Sequence, residues 1–415
     1  MNSYEEIVSQ SSQNAFLVGG IRGTAGFSSA KIGNTTQIYN GRQSTSFGSQ
    51  NLVQIQPLTS VPSNLLESGG YIDYVVRSPA QFFVEDLTIE IKINNNGATP
   101  CVMPMSFFLA DKIEVYAGTQ LLGTEEGVAN YLKTMLCTVP SQLEVIAPFF
   151  NVNPLTYVEK GTLLNGTTAS YFLPVNQVLK NTVPSLINEE LRIRIHYAKK
   201  STYDATADIS LVSTVLWLEG KVLHPTDYAV YAQNYLSGSF IHRFYESRIH
   251  RFPMNITPAS ELTAVLSSLN GNYIGFMVYV QASNATSVNL HTPLANVIDN
   301  MYFTDQTSKI LFGGATNSKE LLKYRASTEY AGSRLFAIKD FIPVSVSPSI
   351  WSDWLTGSIS GCVYLKCQGE KLVINTESSF GAFFPAGLGT QNVTVMGIQA
   401  SGWKLTQAGK LVAIR

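Results

Sequence analysis

The sequence predicts an all-β protein, two consecutive β-sandwiches with a few short helices behind an extended polar N-terminal arm. Three observations carry this reading. Aliphatic and polar residues alternate with period two through several segments, Gly, Pro and Asn punctuate the chain about every ten residues, and the order of elements in the first half returns in the second.

The arm comes first. Of the first sixty residues 34 are Ser, Thr, Asn, Gln or Gly, against five charges, Glu5, Glu6, Arg22, Lys31 and Arg42. Such a segment buries too little apolar surface to fold alone, although Ile7, Val8, Phe16, Leu17, Val18 and Phe27 could dock elsewhere. The run Gly19-Gly20-Ile21-Arg22-Gly23 lacks the Gly-Lys-Ser/Thr and the strand–helix frame of a phosphate loop.

The strands of the first half follow. In Leu87-Thr88-Ile89-Glu90-Ile91-Lys92-Ile93-Asn94 every odd position is aliphatic and every even one polar, so one face is core and the other wet. Leu191-Arg192-Ile193-Arg194-Ile195-His196-Tyr197 repeats the pattern, which places His196 with Arg192 and Arg194 on the polar face as an exposed strand residue rather than a ligand. Further strands are expected near 71–77, 113–122 (a hairpin), 171–175 and 209–223. One helix stands among them, capped by Thr124, with Glu125 and Glu126 in its first turn and Val128, Tyr131, Leu132, Met135 and Leu136 at helical spacing.

The second half runs in the same order. Strands near 241–252, 273–281, 297–304 and 308–312 lead to a shorter helix at 318–324, then strands near 334–342, 361–374 and 393–403. The join falls near 225–238.

Charge and cysteine content narrow the function. With 28 Lys+Arg, 29 Asp+Glu and only 14% charged residues, the chain lies well below the roughly 25% of ordinary globular proteins. A net charge of −1 excludes the broad basic footprint of a nucleic-acid binder. So little charge suits a surface largely covered by neighbours. The start, Met1-Asn2-Ser3-Tyr4-Glu5-Glu6, is acidic and no secretory leader is expected. The apolar stretch 212–218 is far short of the roughly 18 residues of a spanning helix. Cys101, Cys137, Cys362 and Cys367 are too scattered for a disulfide framework or a zinc knuckle and read as buried thiols.

Two passages could carry a site. Ile241-His242-Arg243-Phe244-Tyr245-Glu246-Ser247-Arg248-Ile249-His250-Arg251-Phe252 contains Ile-His-Arg-Phe twice. Arg243, Arg248, His250 and Arg251 are candidates for contact with lipid headgroups, packaged nucleic acid or another subunit. The plainer reading, and the favoured one, is a strand opening the second barrel with Glu246 pairing an arginine. Trp351-Ser352-Asp353-Trp354 could offer Trp351 and Trp354 as a sugar platform, but more often such a cluster buries a loop. No HExxH, GxSxG, Walker or EF-hand pattern occurs, so catalysis, cofactors and metals are not expected.

Four passages resemble a known family. They are Phe108-Leu109-Ala110-Asp111-Lys112-Ile113-Glu114-Val115-Tyr116-Ala117-Gly118-Thr119-Gln120-Leu121-Leu122 before a helix, Tyr171-Phe172-Leu173-Pro174-Val175 with 191–197, 211–223 running into His224-Pro225-Thr226-Asp227-Tyr228, and 393–414 around Gln407-Ala408-Gly409. Their order and spacing resemble the double jelly-roll major capsid proteins of icosahedral viruses with an internal membrane. The resemblance covers about residues 70–415. It implies two eight-stranded jelly rolls, with an arm at 1–70, the first barrel at 71–225, a linker at 226–240 and the second barrel at 241–415. It further implies a non-enzymatic homotrimer, a pseudo-hexameric capsomer tiling a virion shell over a lipid membrane. The implied partners are neighbouring capsomers, penton and minor capsid proteins, without sequence-specific nucleic-acid binding, and synthesis is in the host cytoplasm. The short loops depart from the large members that carry surface towers. A lectin-like or receptor-binding β-sandwich is the alternative.

Overall fold

In the computed structural model the described residues are 51–414 except 139, 156–159, 176, 205, 238–240, 284–293, 295, 313–317, 330–340, 347–349, 352–353, 355–364 and 381–386. The arm up to residue 50, the glycine run at 19–23, Ser352, Asp353, Cys362 and most of the strand expected at 334–342 lie outside them.

The first half contains β1 (Asn51–Ile55), β2 (Gly70–Val75), β3 (Phe82–Asn95), β4 (Cys101–Val102), β5 (Ala110–Ala117), β6 (Gln120–Glu126), β7 (Thr162–Leu163), β8 (Thr168–Pro174), β9 (Leu191–Tyr197) and β10 (Ile209–Val222). The second contains β11 (Ile241–Ile256), β12 (Glu261–Val265), β13 (Gly271–Tyr273), β14 (Gly275–Gln281), β15 (Ile298–Thr304), β16 (Ile310–Phe312), β17 (Ile342–Ser345), β18 (Leu365–Cys367), β19 (Lys371–Thr376), β20 (Gly389–Leu405) and β21 (Leu411–Ile414).

Two four-stranded sheets form each half, β1-β10-β3-β8 with β2-β9-β5-β6, and β11-β20-β14-β17 with β12-β19-β15-β16. Setting aside the short pairs β4–β7 and β13–β18 and the terminal β21, each half has eight strands among the described residues. Counted along the chain, both halves use the order 1-8-3-6 in one sheet and 2-7-4-5 in the other. That is the jelly-roll connectivity, made twice.

Alternation makes these sheets two-faced. On β9, Leu191, Ile193, Ile195 and Tyr197 are buried while Arg192, Arg194 and His196 are half-exposed, and β3 does the same from Leu87 to Asn95. The β5–β6 hairpin turns at Gly118, whose φ of 54° suits glycine.

Two expectations need correction. Residues 51–70, drawn as part of the arm, belong to the first barrel. β1 pairs with β10 from Asn51↔Gly220 to Ile55↔Leu216, and Leu65 and Leu66 are buried in a short helix. β1 is an edge strand whose Leu52 and Gln54 point away from the core, so its composition hid it. The helix expected from a Thr124 cap begins instead at Gly127 and runs to Cys137. Thr124, Glu125 and Glu126 continue β6 against β5. Gly127 lets strand pass directly into helix, because a Cβ there would lie 2.1 Å from the Phe107 carbonyl oxygen. Glu125 points inward and pairs with Lys133 at 2.5 Å, both buried. The shorter helix spans Lys319–Glu329, longer than the expected 318–324.

Between the barrels lies the helix Pro225–Leu236. His224 caps it by accepting from the Thr226 amide, and Pro225 occupies its first position. Cys101 and Cys367 are buried free thiols.

Candidate functional site: the seam between the barrels

In the sheet β11-β20-β14-β17, strand β14 and the stretch of β20 from Val393 to Trp403 are buried on both faces. Along β14, Phe276, Val278 and Val280 enter the core of the second barrel, while Met277 and Tyr279 join the apolar cluster of the first. On β20, Val393 and Val395 turn one way, and Met396, Ile398 and Ala400 the other. A strand dry on both sides reads as a continuous apolar run rather than an alternation. The first barrel supplies the second cover.

Side chains from both halves interlock there. Phe244 of β11 packs where a Cβ on Gly123 of β6 would lie 3.3 Å from its ring and 2.6 Å from Val178 Cγ2. Trp403 Nε1 donates to the Val178 carbonyl at 3.0 Å, and Gln177 Nε2 donates to the Trp354 carbonyl at 2.8 Å. The Trp403 indole lies 4.6 Å from the His242 ring and 6.0 Å from Tyr235 on the linker helix. His242 is buried against the Gln177 and Val178 backbone, and that burial brings its pKa down to about 3. The imidazole is therefore neutral.

β11 divides the four basic candidates between its faces. Its pairing with β20 sets Arg243 opposite Gly402 and Arg251 opposite Thr394, on one side of the strand, whereas Arg248 and His250 lie on the other, opposite Gly397 and Val395. Arg251 Nη2 reaches Glu126 Oε2 at 3.2 Å across the seam, beside a cleft of about 250 Å³ lined by Asp111, Glu126 and Val128. Burial raises the pKa of Asp111 there. Glu246 is buried and accepts from Ser401 Oγ at 3.2 Å and Gln399 Nε2 at 3.3 Å.

Trp351 and Trp354 are wholly buried and meet edge to face at 6.2 Å. Trp351 Nε1 donates to Ser345 Oγ at 2.9 Å. Neither indole offers a face to a sugar.

The outward face of β2-β9-β5 carries a charge network that sequence reasoning saw only as a polar face. Arg194 grips Asp73 with two bonds, of 2.7 and 2.9 Å, and lies 3.8 Å from the centre of the Tyr71 ring. Glu114 accepts from Lys112 at 2.7 Å, Tyr116 at 2.8 Å and His196 at 2.8 Å. Burial alone would raise Glu114, but these bonds outweigh it and hold the carboxyl at about 2. Register pairs join the strands, Asp73↔Arg194 and Glu114↔Arg194, which only the fold supplies.

Among the described residues no group of three or more His, Cys, Asp or Glu could hold a metal ion, and no helix is long and apolar enough to cross a membrane. What the seam does is join two barrels into one block.

Comparison with protein-family models and with curated proteins finds no match. Solved structures do match. VP54 of PBCV-1 is 10% identical, with 89% of this chain and 97% of that one covered at a TM-score of 0.65. The Faustovirus major capsid protein is 8% identical over 89% of this chain and 91% of that one, at 0.57. The STIV MCP is 10% identical over 85% of this chain and 97% of that one, at 0.50. At such identities the likeness shows a shared fold, the double jelly roll.

Proposed function

We propose that this chain is the major subunit of an icosahedral viral capsid, a structural protein without catalysis. Three copies close into a pseudo-hexameric capsomer, and capsomers tile a shell over an internal membrane, joined by penton and minor capsid proteins. The observation that carries the reading is the pair of topologically identical barrels fused into one block through a dry seam. Two like wedges held at a fixed angle make a block suited to repeated head-to-tail contacts that close a ring. The likeness in fold to VP54 and to the Faustovirus major capsid protein supports the same reading.

The barrels divide near residues 223–240, and the arm before residue 51 is the segment available to reach neighbours or the layer beneath. The buried Trp351 and Trp354 weigh against a sugar-binding protein. Negative-stain microscopy and native mass spectrometry of the purified chain test the proposal. Hexagonal blocks of three chains are expected, and discrete monomers at micromolar concentration would overturn it.

A further inference from the structure

We infer that the end of the first barrel opposite the arm is a lipid-docking surface, where apolar loop side chains enter the near leaflet of a bilayer outside the shell. That the surface faces outwards rests on the capsid reading, while the patch itself rests on the geometry of two loops.

Strand β10 separates the two ends of the barrel. Gly220 pairs with Asn51, where the arm joins, and Ile209 pairs with Asn95. The strand runs from Ile209 to Gly220 between them, roughly 36 Å. The far end is tied at Asn95, whose side-chain amide donates to the carbonyls of Thr99 at 2.9 Å and Leu163 at 3.0 Å. Those partners belong to the two long connections there, 96–109 after β3 and 127–167 after β6.

Five large apolar side chains of these connections, Val102, Val145, Phe149, Leu155 and Leu164, are half exposed or more. They are neighbours in space. β4 pairs with β7, Cys101 opposite Leu163 and Val102 opposite Thr162, so Cys101 and Leu163 turn inward while Val102 and Leu164 share the outer side. Asn151 Nδ2 donates to the Met103 carbonyl at 2.9 Å, and the Lys160 amide donates to the Asn151 carbonyl at 3.0 Å. The turn after Phe149 is thereby held beside both strands. The Phe149 ring meets Phe172 of β8 edge to face at 6.2 Å, Val145 stands four residues before it, and the Leu155 amide is fixed by Asn153 Oδ1 at 2.9 Å.

Composition points to the occupant. Residues 96–110 carry no charge, and 134–170 carry only Glu144, Glu159 and Lys160. A cluster of exposed apolar side chains in such surroundings marks a contact. The five side chains are hydrocarbon alone, without the Trp, Tyr and Arg that anchor protein partners. An acyl phase asks for apolar area and offers nothing to hydrogen-bond, which is what this patch presents. In the capsid reading the arm reaches the layer beneath, so the opposite end faces out and the bilayer it meets is an external one.

Flotation of the full chain with phosphatidylcholine vesicles tests the inference. Wild type is expected to float with the vesicles equally in about 0.1 M and about 1 M NaCl, since no charge is engaged. Phe149→Asp and Leu155→Asp should each cut the bound fraction about tenfold, because a carboxylate does not enter the acyl region, with oligomer mass and melting temperature kept. Leu52→Asp, also at an exposed position but beside the arm, should bind as wild type. Trypsin should cut the arm at Arg22, Lys31 and Arg42 at the same rate with and without vesicles. Wild type that does not float overturns the inference, as does binding lost in Leu52→Asp but kept in Phe149→Asp, or an arm that vesicles protect. All three leave the capsid reading standing, because hexagonal blocks form without lipid. Monomers that float through Phe149 remove the capsid reading and leave the lipid surface in place.

Discussion

Trp403 of the second barrel donates its indole N–H to the carbonyl of Val178 in the first, at 3.0 Å and fully buried. The two residues are 225 apart in sequence. Their bond exists only when the barrels are docked, so it reports on the seam and not on either barrel alone. Trp403→Phe removes the donor and leaves a void beside His242, which should lower stability by about 1–3 kcal/mol. Urea denaturation followed by fluorescence checks this, and an unchanged midpoint would show that the seam contributes little.

His242 makes the seam sensitive to acid. Its pKa falls from 6.5 to about 3 on burial, so between those values the unfolded chain binds a proton that the folded chain refuses. Stability is complete above pH 6.5 and is lost as pH drops, by up to about 1.4 kcal/mol per unit. Between pH 7.5 and 5.0 the wild type should lose about 2 kcal/mol through this residue. His242→Phe should lose that much less over the same interval. Glu114 does not contribute there, since a carboxyl held at about 2 loses its stabilising effect only below its ordinary value near 4.5. Equal losses in variant and wild type would clear His242 of the effect.

How much of this was legible in the sequence depends on how many faces a strand wets. β9, with one wet face, shows Leu191 to Tyr197 in strict alternation and is found to the residue. β14, dry on both faces, reads as an unbroken run from Gly275 to Gln281, so nothing marks Met277 and Tyr279 as seam rather than core. β1, short and at an edge, carries too little apolar signal to stand out from the arm. The basic strand misleads in another way. Arg243 and Arg248 look like one patch when written in a line, but an odd spacing on a strand puts them on opposite sides. The ion pair Arg251–Glu126 joins residues 125 apart, and no local pattern foretells it.

At Gly123 β6 lies close against its neighbours. A Cβ there would meet Val178 Cγ2 at 2.6 Å, inside any tolerated approach, with Phe244 just beyond. Val178 is itself branched and buried, so it cannot swing away. Gly123→Val should therefore overpack the seam by about 1–3 kcal/mol. Val178 belongs to the first barrel and Phe244 to the second, so differential scanning calorimetry should show the transition broadening or splitting as the barrels uncouple. A single sharp transition at the wild-type temperature would contradict this.

The C-terminal hairpin is a second fastening of different chemistry. The turn between β20 and β21 lies on the loop before β9, where the Leu411 amide donates to Glu189 Oε2 at 2.7 Å, the Asn188 amide to the Gly409 carbonyl at 2.9 Å and Asn188 Nδ2 to the Ala408 carbonyl at 2.8 Å. These are polar contacts near the surface, worth far less than the buried seam but able to govern local opening. Glu189→Ala deletes the one charge-assisted bond. Global stability should change by under about 1 kcal/mol, while amide exchange at 411–414 should accelerate several-fold, because β21 is paired only to the end of β20. If exchange there stays at the wild-type rate, the hairpin is held by Leu411 and Ile414 in the apolar cluster and the Glu189 bond adds nothing.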